Sequence, residues 1–175
     1  MEKKQTHIMY GFITGIFMTI ISLVLYLTGL SFKPGMESIQ YVVYLPFLVG
    51  VILNAIAYSK ANDGFVTFGN IFGSCFKASM LVTLVIIAWS IISVFVFPDM
   101  KEKAMTMARD KMANSSQKMT DEQMDMALNI TKKYFTAIMI ASVLFSTLFY
   151  GVIFSLIGGL VAKKKGPAPI TSDNF

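Results

Sequence analysis

Four long apolar segments alternate with polar segments along this chain. They cover residues 8–30, 39–58, 78–97 and 134–162, and none of them contains a charged side chain. Because an α-helix rises about 1.5 Å per residue, roughly 20 apolar residues cross the ~30 Å hydrocarbon core of a bilayer. The pattern predicts four transmembrane helices, which together form a single domain over residues 1–162.

A polar segment, residues 98–133, separates the third and fourth apolar segments. Apolar positions recur in it at helical spacing on either side of a polar break at residues 114–116. Two amphipathic helices joined by a short turn make a helical hairpin. The predicted fold class is therefore an all-α membrane protein with four transmembrane helices and an extramembrane helical hairpin between spans 3 and 4.

Polar residues predict where the two hairpin helices begin. Asp99 and Glu102 have the spacing of a capping pair for a helix over 100–113, and Thr120 and Gln123 have it for the next helix. Neither Pro nor Gly separates this second helix from the fourth apolar segment. We therefore expect the second hairpin helix to continue into span 4 without interruption.

The connection between spans 2 and 3 has a distinctive aromatic pattern. Asp63-Gly64 is a turn signal, and Thr67 is placed to cap a helix that starts after it. Aromatic residues concentrate at membrane interfaces, so the pattern predicts an interfacial helix over 65–77 that joins span 3. The phenylalanines that follow the turn at helical spacing are Phe65, Phe68, Phe72 and Phe76.

Two kinds of residue mark candidate contact surfaces. Glycines four positions apart let a second helix approach closely, and methionines suit adaptable binding surfaces. The alternatives are that these residues pack within the chain or lie on lipid headgroups, or that the methionines bind copper(I), for which no Cys or His accompanies them. The candidate helix-packing or partner-binding residues are Gly11, Gly15, Phe65, Phe68, Gly69, Phe72, Gly73, Met105, Met112 and Met124.

The composition narrows the choice of surroundings and partners. Charged residues make up 14% of the chain, whereas a soluble domain carries about 25%. The net charge is +5, but the cations flank apolar segments as membrane anchors do. A lipid bilayer is the expected environment, and nucleic acid is not an expected partner.

Side chains that carry catalysis or bind metals are scarce. The single His, His7, and the single Cys, Cys75, belong to no catalytic or metal-binding motif. The apolar segments also lack the ionised groups that ion-coupled transporters place at mid-membrane. We therefore expect no enzyme activity, no catalytic residues, no cofactor and no metal.

Lysines near the span ends predict the orientation. Two lysines precede span 1, Lys60 and Lys77 flank the second connection, and residues 163–165 are all lysines. Because cations near span ends stay on the cytoplasmic side, both termini are expected in the cytoplasm and the hairpin outside. Residues 163–175 are expected to form a disordered basic cytoplasmic tail.

Three features of the chain carry a family resemblance. Tyr10-Gly-Phe-Ile-Thr-Gly15 begins span 1, Asp63-Gly-Phe-Val-Thr-Phe-Gly69 leads on to Phe72 and Phe76, and a Met-rich insertion separates spans 3 and 4. Nearly the whole chain thereby resembles the DUF4199 family of small four-span proteins of Bacteroidetes, whose function is uncharacterised. The resemblance implies a multi-pass protein of the bacterial inner membrane. The association of such proteins with membrane glycosyltransferases implies an accessory role in envelope glycan or lipid-carrier glycosylation.

The functional hypothesis is a non-enzymatic integral membrane scaffold or accessory subunit. Its partner would be another protein, such as a membrane glycosyltransferase, or a second copy of the chain. The alternative is a small transporter or channel for an apolar or lipid-linked cargo, which predicts an open path near Pro46 and Asn54. A third hypothesis, a lipid-modifying enzyme, needs Asn62, Asp63 and Lys77 to converge at one interface.

Overall fold

The computed structural model describes residues 4–33, 35–114 and 120–166. These residues form six α-helices and no strand, and two short 3-10 helices, Leu30–Phe32 and Glu37–Val43, connect the first two α-helices. The α-helices are α1 (His7–Leu27), α2 (Tyr44–Ala61), α3 (Phe68–Val96), α4 (Asp99–Ala113), α5 (Asp121–Lys133) and α6 (Phe135–Val161).

Four helical stretches are long and apolar enough to cross a membrane. They are α1, α3, α6 and the stretch Ser38–Ala61, which includes α2. An all-helical fold with four long apolar helices is thereby confirmed. Helix α3 is longer than predicted span 3, because the predicted interfacial segment and the span form one helix that begins three residues after Phe65.

Local side-chain caps start two of the helices. The Thr67 hydroxyl accepts a hydrogen bond from the Asn70 amide at 3.3 Å, and the Asn70 side chain accepts one from the Thr67 amide at 3.2 Å. Thr120 and Gln123 form the same reciprocal pair at 3.3 and 3.0 Å. The first amides of a helix have no hydrogen-bond partner within the helix, and each pair supplies partners for two amides at the helix start. The capping roles predicted for Thr67 and Thr120 are confirmed.

The predicted capping pair of Asp99 and Glu102 does not form. Helix α4 begins at Asp99, directly after its N-cap residue Pro98, which makes no side-chain cap hydrogen bond. Asp99 instead accepts a hydrogen bond from the Tyr26 hydroxyl at 2.6 Å and pairs with Lys103 at 2.7 Å. The capping prediction is wrong because a partner on α1 and a lysine one turn along α4 both bind this carboxylate.

The expected uninterrupted helix from the polar segment into span 4 is also wrong. Helices α5 and α6 are separated at Tyr134, whose ψ of 21° lies far from the helical value of about −42°. The break falls directly after Lys133, where the polar α5 gives way to the apolar α6. It turns α5 toward α4, where the Arg109 guanidinium and the Asp125 carboxylate lie 3.4 Å apart.

Pro46, which lies inside predicted span 2, occupies the first turn of α2. The 3-10 helix Glu37–Val43 comes directly before this turn, and the α-helix starts at Tyr44. In an α-helix the proline ring clashes with the carbonyl four residues earlier, whereas the first turn tolerates proline. The proline therefore marks a change of helix type at the start of the span.

The four long helices pack as a bundle through small residues. Helix α3 contacts α1, α2 and α6, and α2 contacts α1 and α6. A Cβ added at Gly50 on α2 would overlap the Thr14 hydroxyl on α1, and one at Gly151 on α6 would lie 2.9 Å from the Ser79 Cβ on α3. Such close approach brings helix backbones together and buries Phe47 completely.

The two ends of the bundle differ in their connections. One end, called the terminal end, consists of residues 4–7, 59–67 and 163–166, which contact one another. The other end, called the α4–α5 end, consists of the first connection and helices α4 and α5. Fully buried Val51, Ile71 and Cys75 belong to the half of the core nearer the terminal end.

Backbone contacts join the predicted tail to the second connection. The Lys165 amide donates to the Gly64 carbonyl at 2.7 Å, and the Ser59 hydroxyl donates to the Lys163 carbonyl. The Lys164 ammonium donates to the Gly159 carbonyl at 2.6 Å and so caps the end of α6. The rest of the predicted disordered tail, residues 167–175, and most of the predicted polar break, from residue 115, lie outside the described residues.

Candidate functional site

The predicted contact residues separate into three places and do not form one site. Gly11 and Gly15 lie between α1 and α3, and the Phe-Gly pattern lies on α3 and the loop before it, at the terminal end. Three methionines, Met105, Met112 and Met124, lie half-buried on α4 and α5 at the opposite end. Each place is therefore a separate candidate.

Gly11 and Gly15 serve packing within the chain. A Cβ added at Gly11 would lie 2.9 Å from the Ala78 carbonyl oxygen, and one at Gly15 would lie 2.8 Å from the Val85 Cβ. Both glycines are buried, so α1 and α3 already occupy the close contact that their spacing permits. Neither is free for a partner.

Three phenylalanines form a stacked row along the start of α3. The ring centroids of Phe68 and Phe72 are 6.2 Å apart, and those of Phe72 and Phe76 are 6.0 Å apart. Phe68 also covers Gly159 on α6, where an added Cβ would lie 2.7 Å from its ring. Phe65 precedes the helix, and the Lys165 ammonium lies 5.3 Å from its ring centroid.

Gly69 and Gly73 differ from the other glycines within the described helices. A Cβ added at Gly73 would meet no atom within 4 Å, and one at Gly69 would meet only the Thr67 hydroxyl at 4.0 Å. The next exposed side chains along the same helix face are Lys77, Met80 and Leu84. This exposed face of α3, residues 69, 73, 77, 80 and 84, is named the glycine face.

An aromatic and ionic cluster fastens α4 to α1 at the α4–α5 end. The Tyr26 ring lies 4.5 Å from that of Phe97, and the Lys103 ammonium lies 5.3 Å from the Tyr26 ring centroid. The hydrogen bond from Lys103, and then that from Tyr26, holds the pKa of Asp99 below its usual value. The bond with Asp99 in turn raises the pKa of Lys103. The cluster positions α4 beside α1.

A buried hydrogen-bond network surrounds Asn54. The Thr6 hydroxyl donates to the Asn54 carbonyl oxygen at 2.7 Å, and the Asn54 amide donates to the Ser74 hydroxyl at 3.2 Å. The bond to Ser74 links α2 to α3. Asn54 is 0% exposed, so the path that a transporter would need at this position is closed in this structure.

Asn62 uses its side chain for structure. Its amide nitrogen donates to the Tyr58 carbonyl at 2.8 Å, and its oxygen accepts from the Lys4 amide at 3.0 Å. Among the described residues there is no group of three His, Cys, Asp or Glu side chains that could hold a metal ion.

A central cavity of about 450 Å³ is the feature that the sequence patterns did not predict. It lies at the α4–α5 end, and all four long helices and the first connection line it. Ser142 and Ser146, four residues apart in the last apolar segment, are among the lining residues. Serines at this spacing are the one sequence signal that could have indicated a polar surface inside the bundle.

The four long apolar helices indicate the class to which this chain belongs, the multi-pass membrane proteins. The chain is a member of the DUF4199 family, described as a protein of unknown function, whose family model matches residues 9–164. A comparison with curated proteins and with solved structures gave no match.

Proposed function

We propose that this chain is a non-enzymatic scaffold or accessory subunit that spans a bacterial inner membrane and packs a helix of a partner against its glycine face. The observation that carries this proposal is the contrast among the helical glycines. Glycines on α1, α2 and α6 abut a neighbouring helix, whereas Gly69 and Gly73 face open space. In lipid, small residues four apart let two helices approach closely, which favours association.

The charge distribution supports insertion with both termini in the cytoplasm. The described residues of the terminal end carry Asp63 and five lysines, which are Lys4, Lys60, Lys163, Lys164 and Lys165, and Lys77 lies further along α3. At the α4–α5 end, the side chains that the structure describes include seven cations and six carboxylates. Because cations near span ends stay on the cytoplasmic side, the terminal end faces the cytoplasm.

Helices α4 and α5 are proposed to stand outside the membrane as a hairpin. Both helices begin with acidic residues and end with basic ones, and neither has a fully buried side chain. They contact each other, and a cleft between them is lined in part by Met105, Arg109 and Leu128. This hairpin provides a second surface for a partner.

The partner class follows from the glycine face and from the family. A partner helix with small residues of its own would approach Gly69 and Gly73, and an acidic residue near its cytoplasmic end would meet Lys77. A membrane glycosyltransferase, expected from the family resemblance, and a second copy of this chain are the two candidates. The role would then be to hold or orient the partner.

Replacing the small residues of the glycine face with large ones tests whether a partner helix packs against it. The variant G69I/G73I places two branched side chains on the face, and A137I makes a similar change at an exposed position of α6. Each variant carries a photo-crosslinking residue at Met80, and crosslinked complexes are isolated from native membranes.

We expect a discrete complex from the chain with both glycines intact and from A137I, and its loss in G69I/G73I. The mass of the complex separates a second copy from another protein. The same complex in all three samples, or only free protein in all three, would contradict the proposal.

The transporter hypothesis ranks second. The cavity at the α4–α5 end gives it partial support, because a carrier needs a binding space between its helices. The other half of the core is filled by Phe47, Val51 and Asn54, which are 0 to 1% exposed. Transport would therefore require a second conformation of the bundle.

A further inference from the structure

The central cavity lies between the four long helices, is closed toward the terminal end and is open on its other side, where Gln40 and Ser142 are exposed. Met18 on α1 and Ile86 on α3 line it, and fully buried Phe47 and Val51 lie beyond it on α2. Its volume of about 450 Å³ falls within the range of roughly 300–1,000 Å³ typical of small-molecule sites. The cavity is therefore large enough for a small ligand and has one closed end.

The lining combines polar and apolar side chains and carries no charged one. Five lining residues are apolar, namely Met18, Leu25, Val43, Ile86 and Val143. The other eight carry a hydroxyl or an amide and are Ser22, Ser31, Gln40, Tyr41, Tyr44, Ser142, Ser146 and Thr147. Gln40, Tyr41 and Ser142 are exposed at the opening, whereas Ser22, Ser146 and Thr147 are partly or fully buried. Buried polar groups cost free energy unless they are hydrogen-bonded, so this surface is suited to a polar occupant.

Several of these polar groups have hydrogen-bonding capacity left. The Thr147 hydroxyl is used by its own helix, since it donates to the Val143 carbonyl at 2.7 Å. The side chains of Ser22, Gln40 and Ser142, in contrast, form no hydrogen bond with the described part of the chain. These three come from different elements and converge on one space.

We infer that this cavity binds an uncharged compound with several hydroxyl groups, a polyol or a sugar. Serine hydroxyls and the Gln40 amide both donate and accept hydrogen bonds, so they match hydroxyl groups. A charged ligand would lack a counter-charge in this lining, and a purely apolar one would leave the polar groups without partners. The same chemical group could arrive free in water or as the headgroup of a lipid.

This inference is independent of the glycine face, which lies on the outer surface of α3. It also differs from the apolar or lipid-linked cargo of the transporter hypothesis, because it specifies the hydroxyl-bearing group as the part that is recognised. Loss of the glycine-face complex would leave this binding unchanged.

The test measures binding by the purified full chain in phosphatidylcholine nanodiscs. Glucose is the soluble probe, nanodiscs containing monoglucosyl diacylglycerol supply the same group on a lipid, and glutamate is the charged comparison. The variant S22L/S146L fills the cavity, and A141L makes the same kind of change next to Ser142 at an exposed position of α6. Thermal unfolding is recorded for each protein.

We expect glucose or the glucosyl lipid to bind to the unmodified chain and to A141L, and to bind at least about tenfold more weakly to S22L/S146L because hydroxyl partners are lost. The midpoint of unfolding of S22L/S146L should not fall, since leucine fills empty space. Binding of glucose identifies a free ligand, and binding of the lipid alone identifies a headgroup. Absence of binding by both probes, equal binding by S22L/S146L, or equal binding of glutamate would overturn the inference.

Discussion

At the residue scale, Asp99 shows how one carboxylate can be used in two different ways. Its position directly before a helix, three residues from Glu102, favours a cap, but its two oxygens bind the Tyr26 hydroxyl and the Lys103 ammonium. Both charged groups are about half-exposed, so the ion pair itself contributes little to the free energy of unfolding. The hydrogen bond from Tyr26 has a positional consequence, because it holds the start of α4 beside α1.

The pH dependence of this contact follows from the shifted pKa. Interaction with Lys103 and Tyr26 lowers the pKa of Asp99, so its stabilising contribution is complete above the unfolded pKa of about 3.9. The contribution is lost as the pH falls through the lower pKa of the folded protein. We therefore expect α4 to stay in place from neutral pH down to about pH 4 and to loosen below it.

The single tryptophan reports this loosening. Trp89 lines a small cavity together with Tyr26, Phe97 and Met100, next to the start of α4. We expect the fluorescence of D99N at pH 7 to resemble that of the unmodified chain at low pH, whereas D121N, changed at an exposed carboxylate of α5, should not. A D99N spectrum at pH 7 identical to that of the unmodified chain would show that Asp99 does not hold α4.

At the scale of the elements, local signals predicted some boundaries, and contacts between elements decided the others. Thr67 and Thr120 cap as predicted because each cap involves residues three apart in sequence. No Pro or Gly in the sequence marks the break at Tyr134. The break occurs where α5 turns to contact α4. Pro46 indicates that the helix of span 2 is irregular near this residue. The structure shows the form of the irregularity, a change from 3-10 helix to α-helix at Tyr44.

The helical glycines fall into two groups, one on helix faces covered by a neighbouring helix and one on an open face. Spacing alone made the pair Gly11 and Gly15 equivalent to the pair Gly69 and Gly73, because both are four residues apart. Only the arrangement of the helices shows that the first pair is covered and the second is open. The cavity was not predicted for the same reason, since its polar lining comes from α1, α2, α6 and the first connection, whose relative placement no single segment specifies.

Alanine substitution at two helical glycines tests whether one glycine is covered by a neighbouring helix and the other is open. In G50A the new methyl group meets the Thr14 hydroxyl, and overpacking of this kind costs about 1–3 kcal/mol. In G73A the methyl group meets open space, and alanine favours a helix over glycine by about 0.8–1 kcal/mol. Thermal unfolding of the purified chains in detergent should therefore give a lower midpoint for G50A and an equal or higher one for G73A. Equal losses in both variants would mean that Gly73 is covered.

At the scale of the whole molecule, charge and packing both distinguish the two ends of the bundle. The terminal end carries the excess of lysines and the filled core, and the described residues of the α4–α5 end carry nearly balanced charge and the cavity. The apolar pattern predicted four long helices, and α1, the stretch Ser38–Ala61, α3 and α6 match it. The proposed topology follows from this asymmetry, with the terminal end in the cytoplasm and helices α4 and α5 outside.

Accessibility of single introduced cysteines tests this topology most directly. Native Cys75 is fully buried and provides little background, so cysteines are placed at Asn62 and Lys163 of the terminal end and at Lys33 and Gln123 of the opposite end. Intact spheroplasts are treated with a membrane-impermeant maleimide, and the labelling is repeated after permeabilisation.

We expect positions 33 and 123 to be labelled in intact spheroplasts and positions 62 and 163 to be labelled only after permeabilisation. Labelling of all four positions before permeabilisation, or recovery of the chain in the soluble fraction, would contradict the account of four membrane-spanning helices with both termini in the cytoplasm.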